Sequence, residues 1–167
     1  MSVDPATGGY DLVGSDGGVF SFDAPFDGSL GGSTYPVTPP PPTSAATAIV
    51  SAAYSQLGVP YLWGGEEPGV GFDCSGLAQW AYAQAGISIP RTTETQWPAM
   101  QQVSEADAVP GDLVFFDTPG DSQAAPNHVG IYLGGGLMID APYTGTVVRK
   151  DPISSDVLYG FATMTGV

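Results

Sequence analysis

Helical spacing in the first half of this chain, followed by short apolar runs in the second, predicts an α+β fold with N-terminal helices packed on an antiparallel sheet. The connections support that class. They are short and carry Gly, Asp or Pro, which suits hairpins rather than long crossovers. A run of four prolines, Pro39 to Pro42, also sets a Gly- and Asp-rich N-terminal segment apart from the helical pattern. The expected organisation is therefore an appendage over residues 1–35, a Pro-rich linker over 36–43 and one larger domain over 44–167.

Within the appendage, Gly9-Tyr10-Asp11-Leu12-Val13 and Val19-Phe20-Ser21-Phe22 flank Ser15-Asp16-Gly17-Gly18. Alternating residues about an Asp-Gly turn predict a β-hairpin. The segment resembles one unit of a Gly-Tyr-x-Leu-Val-x-Ser-Asp-Gly-Gly-Val-Phe repeat found in tandem in some secreted actinobacterial proteins, and no second copy follows. An isolated hairpin is marginal in water, so it is expected to dock on the larger domain, to move, or to belong to a truncated array. The prolines favour polyproline II, a semi-rigid spacer of ~3.1 Å per residue.

The larger domain opens with a helix from Ser44 to about Leu57, stopped at Gly58. Thr43 or Ser44 suits its N-cap, and Ala48, Ile49, Ala52, Ala53 and Gln56 recur at helical spacing. A second helix is expected from Cys74, with Asp73 as N-cap, Gly86 just past its end, and Leu77, Trp80 and Ala81 facing the core. The strands predicted after it are Leu113–Phe116, His128–Leu133, Leu137–Ala141, Val147–Val148 and Leu158–Ala162, with Gly134-Gly135-Gly136 as a tight hairpin turn.

Net charge is -14, and Arg91, Arg149 and Lys150 are the three cations. That balance excludes a phosphate-tracking nucleic-acid surface and basic docking on an anionic membrane. The carboxylates are scattered, which reads as solubility rather than a partner surface. No stretch approaches the ~20 apolar residues of a membrane-spanning helix, so no membrane insertion is expected. The first residues show no basic and apolar signal-peptide pattern, leaving retention in the cytosol, another export route or a mature fragment as readings.

Chemistry concentrates on one cysteine, Cys74, and one histidine, His128. One of each is too few for a structural zinc site, and a lone cysteine makes no internal disulfide, so no metal and no cofactor are expected. Phosphate- and dinucleotide-binding glycine motifs are absent as well. An unpaired cysteine is most often a buried core residue. Here Phe72-Asp73-Cys74-Ser75-Gly76 places the thiol at a helix N-terminus, where free N–H groups favour a thiolate and can donate to an oxyanion. His128 opens an apolar strand, a place usually held by a polar rim residue. It is also the one base available to that thiol. Asp140 lies one hairpin downstream with equal parity, which can put it on the same sheet face as His128. A solvent-facing strand-end Asp is the alternative. Asp112 and Asp117 are rival acids that no hairpin fixes beside the imidazole.

Five motifs in order resemble the NlpC/P60 cell-wall cysteine peptidases over about Ala45 to the C-terminus. They are Gly58-Val59-Pro60-Tyr61-Leu62-Trp63-Gly64-Gly65, Phe72-Asp73-Cys74-Ser75-Gly76-Leu77, Pro90-Arg91-Thr92-Thr93, Pro110-Gly111-Asp112-Leu113-Val114-Phe115-Phe116 and Asn127-His128-Val129-Gly130-Ile131-Tyr132-Leu133. The resemblance implies a papain-like fold and hydrolysis of peptidoglycan stem peptides, commonly at the bond from γ-D-glutamyl to a diamino acid. It implies Cys74 as nucleophile, His128 as base and Asp140 as the orienting third member, where the family more often has His, Asn, Gln or Glu. Tyr61 matches a tyrosine placed to help the oxyanion, and Asp73 and Ser75 match groove-lining positions. Arg91 stands between a substrate-carboxylate contact and a structural ion pair.

A monomer acting on peptidoglycan stem peptides is expected, and the resemblance implies a location outside the cell or at the wall. The rival readings are a Cys/His amidase or acyltransferase on cell-wall peptides, and a catalytically inert wall-binding module. Residues 1–35 are expected to be an appendage rather than an inhibitory prosegment, because nothing in them mimics a stem peptide.

Overall fold

In a computed structural model of the chain, the described residues are 2–3, 10–13, 19–22, 44–119 and 126–164. The chain divides into two units, Met1–Val37 and Thr38–Val167, and each is described by itself. In the first, β1 (Ser2–Val3), β2 (Tyr10–Val13) and β3 (Val19–Phe22) pair antiparallel in that order. The two strands read as a hairpin pair from Tyr10↔Phe22 to Val13↔Val19, and β1 is added at the edge. The Asp-Gly turn, the Pro-rich linker 36–43 and Thr43 lie outside the described residues.

In the second unit, α1 (Ser44–Ser55) buries Ala46, Ile49, Ala52, Ala53 and, just beyond its end, Gln56. It ends two residues before the expected Leu57, and the chain turns at Gly58, whose φ of +87° favours glycine. A short ribbon of β4 (Glu66–Glu67) and β5 (Gly71–Phe72) leads into α2 (Cys74–Gln84). As expected, Asp73 caps α2, its side chain accepting from Gly76 N–H, and Gly86 follows the last turn with φ of +76°. Leu77 and Ala81 are buried, but Trp80 is only half-buried. Its ring packs on Phe72 with centroids 5.6 Å apart.

A third helix, α3 (Thr93–Ala99), follows, with a reciprocal Thr92–Thr95 capping box and Pro98 in its last turn. Then come β6 (Gln101–Val103), β7 (Leu113–Phe116), β8 (His128–Gly134), β9 (Leu137–Asp140), β10 (Arg149–Pro152) and β11 (Leu158–Thr163). They form one antiparallel sheet in the order β10-β9-β8-β7-β11-β6. Leu113, Phe115, Val129, Ile131 and Ile139 join the apolar residues of α1 and α2 in the main core. Their alternate neighbours Val114, Phe116, Tyr132 and Met138 build a smaller cluster with Phe161.

The α+β class with helices on an antiparallel sheet is as the sequence reads. Val147–Val148 corrects one element. Val147 makes only an isolated bridge to Pro60, and the strand is the charged Arg149–Pro152 beside it, pairing with β9. Among the described residues no helix is long and apolar enough to cross a membrane.

Candidate active site

Close backbone approach explains the glycines around Cys74. Asp73 N–H donates to the Gly65 carbonyl at 3.0 Å, so the loop before β4 lies against the start of α2. A Cβ on Gly76 would run into that carbonyl, and one on Gly65 would meet the Gly71 carbonyl oxygen at 2.6 Å. Glycine at 65 and 76 is thus a packing requirement for the turn that presents the thiol.

The acid cap has more work than capping. Asp73 Oδ1 accepts from Gly76 N–H at 2.7 Å and from Arg91 Nη1 at 2.9 Å. Its Oδ2 accepts from Gly64 N–H at 3.0 Å and Arg91 Nη2 at 2.7 Å. Arg91 also donates from Nη1 to Ser75 Oγ at 2.9 Å, from Nη2 to the Gly65 carbonyl at 3.4 Å, and pairs through Nε with Glu66 at 3.1 Å. All five guanidinium N–H groups are therefore engaged. Behind them, fully buried Gln96 donates to the carbonyls of Ser75 at 3.0 Å and Pro90 at 2.9 Å. Asp73, Ser75, Arg91 and Gln96 together lock the first turn of α2 to the loop before α3.

Across from that turn, β8 and β9 supply His128 and Asp140. The register Ile131↔Ile139 sets Asp140 opposite Gly130, two residues from His128 and on its face. His128 Nε2 and Asp140 Oδ2 are 2.7 Å apart. The His128 ring is also hydrogen-bonded to the Cys74 side chain. Burial opposes the charged ring, but the hydrogen bonds to Asp140 and Cys74 outweigh it and raise the His128 pKa from 6.5 to about 10. The imidazole is therefore an imidazolium at neutral pH. Asp140 is itself buried, and among the described residues its Oδ1 has no hydrogen-bond partner. The rival acids are elsewhere: Asp112 accepts from Val109 N–H at 2.8 Å, and Asp117 is exposed.

These elements enclose a cleft of about 730 Å³ lined by Cys74, His128, Tyr61, Asp73, Ser75 and Arg91. Asp140 stands behind His128 and does not line it. The sequence reading gives no role to other parts of the wall: Trp63, 71% exposed, Thr92, Thr93 and Asn127 stand inside its motifs, whereas Glu94, Thr118 and Tyr143 lie outside them. Asn127 and Thr118 staple their loop ends through three side-chain hydrogen bonds. Only proximity to the motifs could have flagged Glu94 and Thr118. Among the described residues, no cluster of His, Cys, Asp and Glu could hold a metal ion.

The NlpC/P60 family profile matches residues 58–164, which spans both halves of this cleft. The chain belongs to the NlpC/P60 family. It is 46% identical over 97 residues to the bifunctional muramidase/DL-endopeptidase CwlT of Bacillus subtilis, a match covering 58% of this chain and 29% of that one. The chain thus spans less than a third of the length of that curated relative. Among solved structures, the NlpC/p60 domain of the peptidoglycan hydrolase SagA is 38% identical with a TM-score of 0.61, covering 71% of this chain and 98% of that one. RipD of Mycobacterium tuberculosis is 29% identical with a TM-score of 0.60, covering 74% and 98%. RipD is described as a non-catalytic NlpC/p60 domain protein adapted to peptidoglycan binding. NlpC/P60 membership therefore fixes the fold, and the chemistry rests on the cleft.

Proposed function

We propose that this NlpC/P60 domain is a cysteine peptidase that hydrolyses peptidoglycan stem peptides, at the bond from γ-D-glutamyl to the diamino acid, outside the cell or at the wall. The observation that carries this reading is the Cys74–His128–Asp140 array, with Nε2–Oδ2 at 2.7 Å, on the wall of an open cleft. A binding-only role like that described for RipD leaves this array without a use. The endopeptidase name of CwlT and the hydrolase name of SagA point the same way.

In the proposed reaction the Cys74 thiolate attacks the amide carbonyl carbon, forming a C–S bond and an oxyanion. N–H groups of the first turn of α2 and Tyr61 face that oxygen. His128 passes its Nδ1 proton to the leaving nitrogen as the C–N bond breaks, giving a thioester and a free amine. Water then attacks the thioester carbonyl, His128 takes its proton, and the thiolate departs with release of the acid. Asp140 holds the ring in place throughout. Arg91, with its donors engaged inside the protein, acts as a structural clamp in this reading. An amidase or acyltransferase would use the same array on a different bond.

Purified peptidoglycan digested with the wild type should release soluble fragments, and Cys74→Ala should release none. Equal release by both would overturn the proposal.

A further inference from the structure

Stem peptides carry several carboxylates, yet among the described residues the cleft offers them no free cation. Arg91, the cation lining it, spends its donors on Asp73, Ser75, Glu66 and Gly65. Arg149 pairs with Asp151 at 2.8 Å and Lys150 stands over the Tyr54 ring, and neither lines the cleft. Of the other charged groups on the wall, Asp73 pairs with Arg91, and His128 pairs with Asp140 behind it. Glu94 is the exception. It lies exposed in the first turn of α3, lines the cleft, accepts one hydrogen bond from Thr93 Oγ1 at 3.2 Å, and has no cationic partner among the described residues.

An unpaired carboxylate on a substrate wall selects for a positive group. The diamino acid of the proposed substrate has one. Its second amine is an ammonium in an uncross-linked stem and a neutral amide once acylated by a cross-link. Resting on the peptidase reading above, we propose that Glu94 is a specificity-determining residue that receives the free side-chain ammonium of the diamino acid. The enzyme would then prefer stems whose diamino-acid side chain is not acylated. An exposed ion pair of this kind supports about a 3- to 5-fold preference, reduced by salt.

The test uses two stem peptides of one sequence, γ-D-glutamyl to lysine at the scissile bond, with the lysine side chain free or acetylated. For the full chain, kcat/KM should favour the free amine by about 3- to 5-fold at low salt, with the ratio near one in Glu94→Gln and in about 0.5 M salt. A wild-type ratio near one, or one that survives Glu94→Gln, would overturn the assignment. Calorimetric binding of both peptides to Cys74→Ala, with and without Glu94→Gln, separates this from failure of the peptidase reading. If neither peptide is cut, an ammonium preference in Kd that depends on Glu94 retains the Glu94 assignment, and equal Kd values end it.

Discussion

Replacing Asp140 with Asn keeps the shape of the contact to His128 and removes its charge. At 2.7 Å and out of water, the carboxylate is a main reason why the imidazolium survives to a pKa of about 10. Opposite charges this close shift a pKa by about 1–3 units, so Asp140→Asn should bring His128 down to about 7–9. In the proposed reaction the active form carries the imidazolium, so the alkaline limb of kcat/KM should move by the same amount. For a two-unit drop, the protonated fraction at pH 9 falls from about nine-tenths to about one-tenth, a ~10-fold loss of rate, with almost none at pH 6.

Stability should follow the same group. Because the folded pKa lies above 6.5, His128 stabilises the fold fully below pH 6.5, and this contribution fades as pH rises through about 10. The Asp140→Asn substitution should remove most of that fade. The assays are kcat/KM on a soluble muropeptide and thermal unfolding, each from pH 5 to about 10.5. An alkaline limb that stays where the wild type has it would refute the reasoning, since Asp140 would then not be what holds the proton on His128.

Three further outcomes follow from the same packing. Gly76→Ala, which in an ordinary helix stabilises by up to ~1 kcal/mol, should instead cost about 1–3 kcal/mol and most of the activity, because its Cβ meets the Gly65 carbonyl; thermal unfolding with a rate measurement checks both. Arg91→Ala should destabilise by about 1–3 kcal/mol by stripping the cation from the mostly buried Asp73, and Arg91→Lys should not restore it, since an ammonium cannot span both carboxylate oxygens. A rise in KM with unchanged unfolding would instead mark Arg91 as a substrate contact. Deleting residues 1–38 should leave cleavage of soluble muropeptides unchanged, whereas a rate increase would identify the segment as an inhibitory cover.

What the sequence shows and what it hides divide along physical lines. The α2 start is legible because Asp73 and Gly76 are needed for the cap and the close approach, and both requirements name residue types. The His128–Asp140 contact is legible because strand period and a glycine turn fix which side chains share a face. The sheet edges are not. β6 and β10 are polar, and their strand state comes from pairing with β11 and β9, not from an apolar pattern. The placement of β11 between β7 and β6 is likewise a long-range choice that no local run announces. α3 is masked by its β-branched start and by Pro98, which lacks the N–H that a helix position normally donates and so reads as a breaker, one residue before the helix ends. Arg91 could be read two ways until its partners were known, and five engaged donors settle its geometry.

The central claim is that the Cys74 thiolate, held against a proton-bearing His128, opens one particular bond. Mass spectrometry of products from a defined disaccharide-peptide tests it most directly. The account predicts a disaccharide ending in D-glutamate plus a peptide beginning with the diamino acid, and neither product with Cys74→Ala. Release of the intact stem peptide, or the same two products from Cys74→Ala, would contradict it.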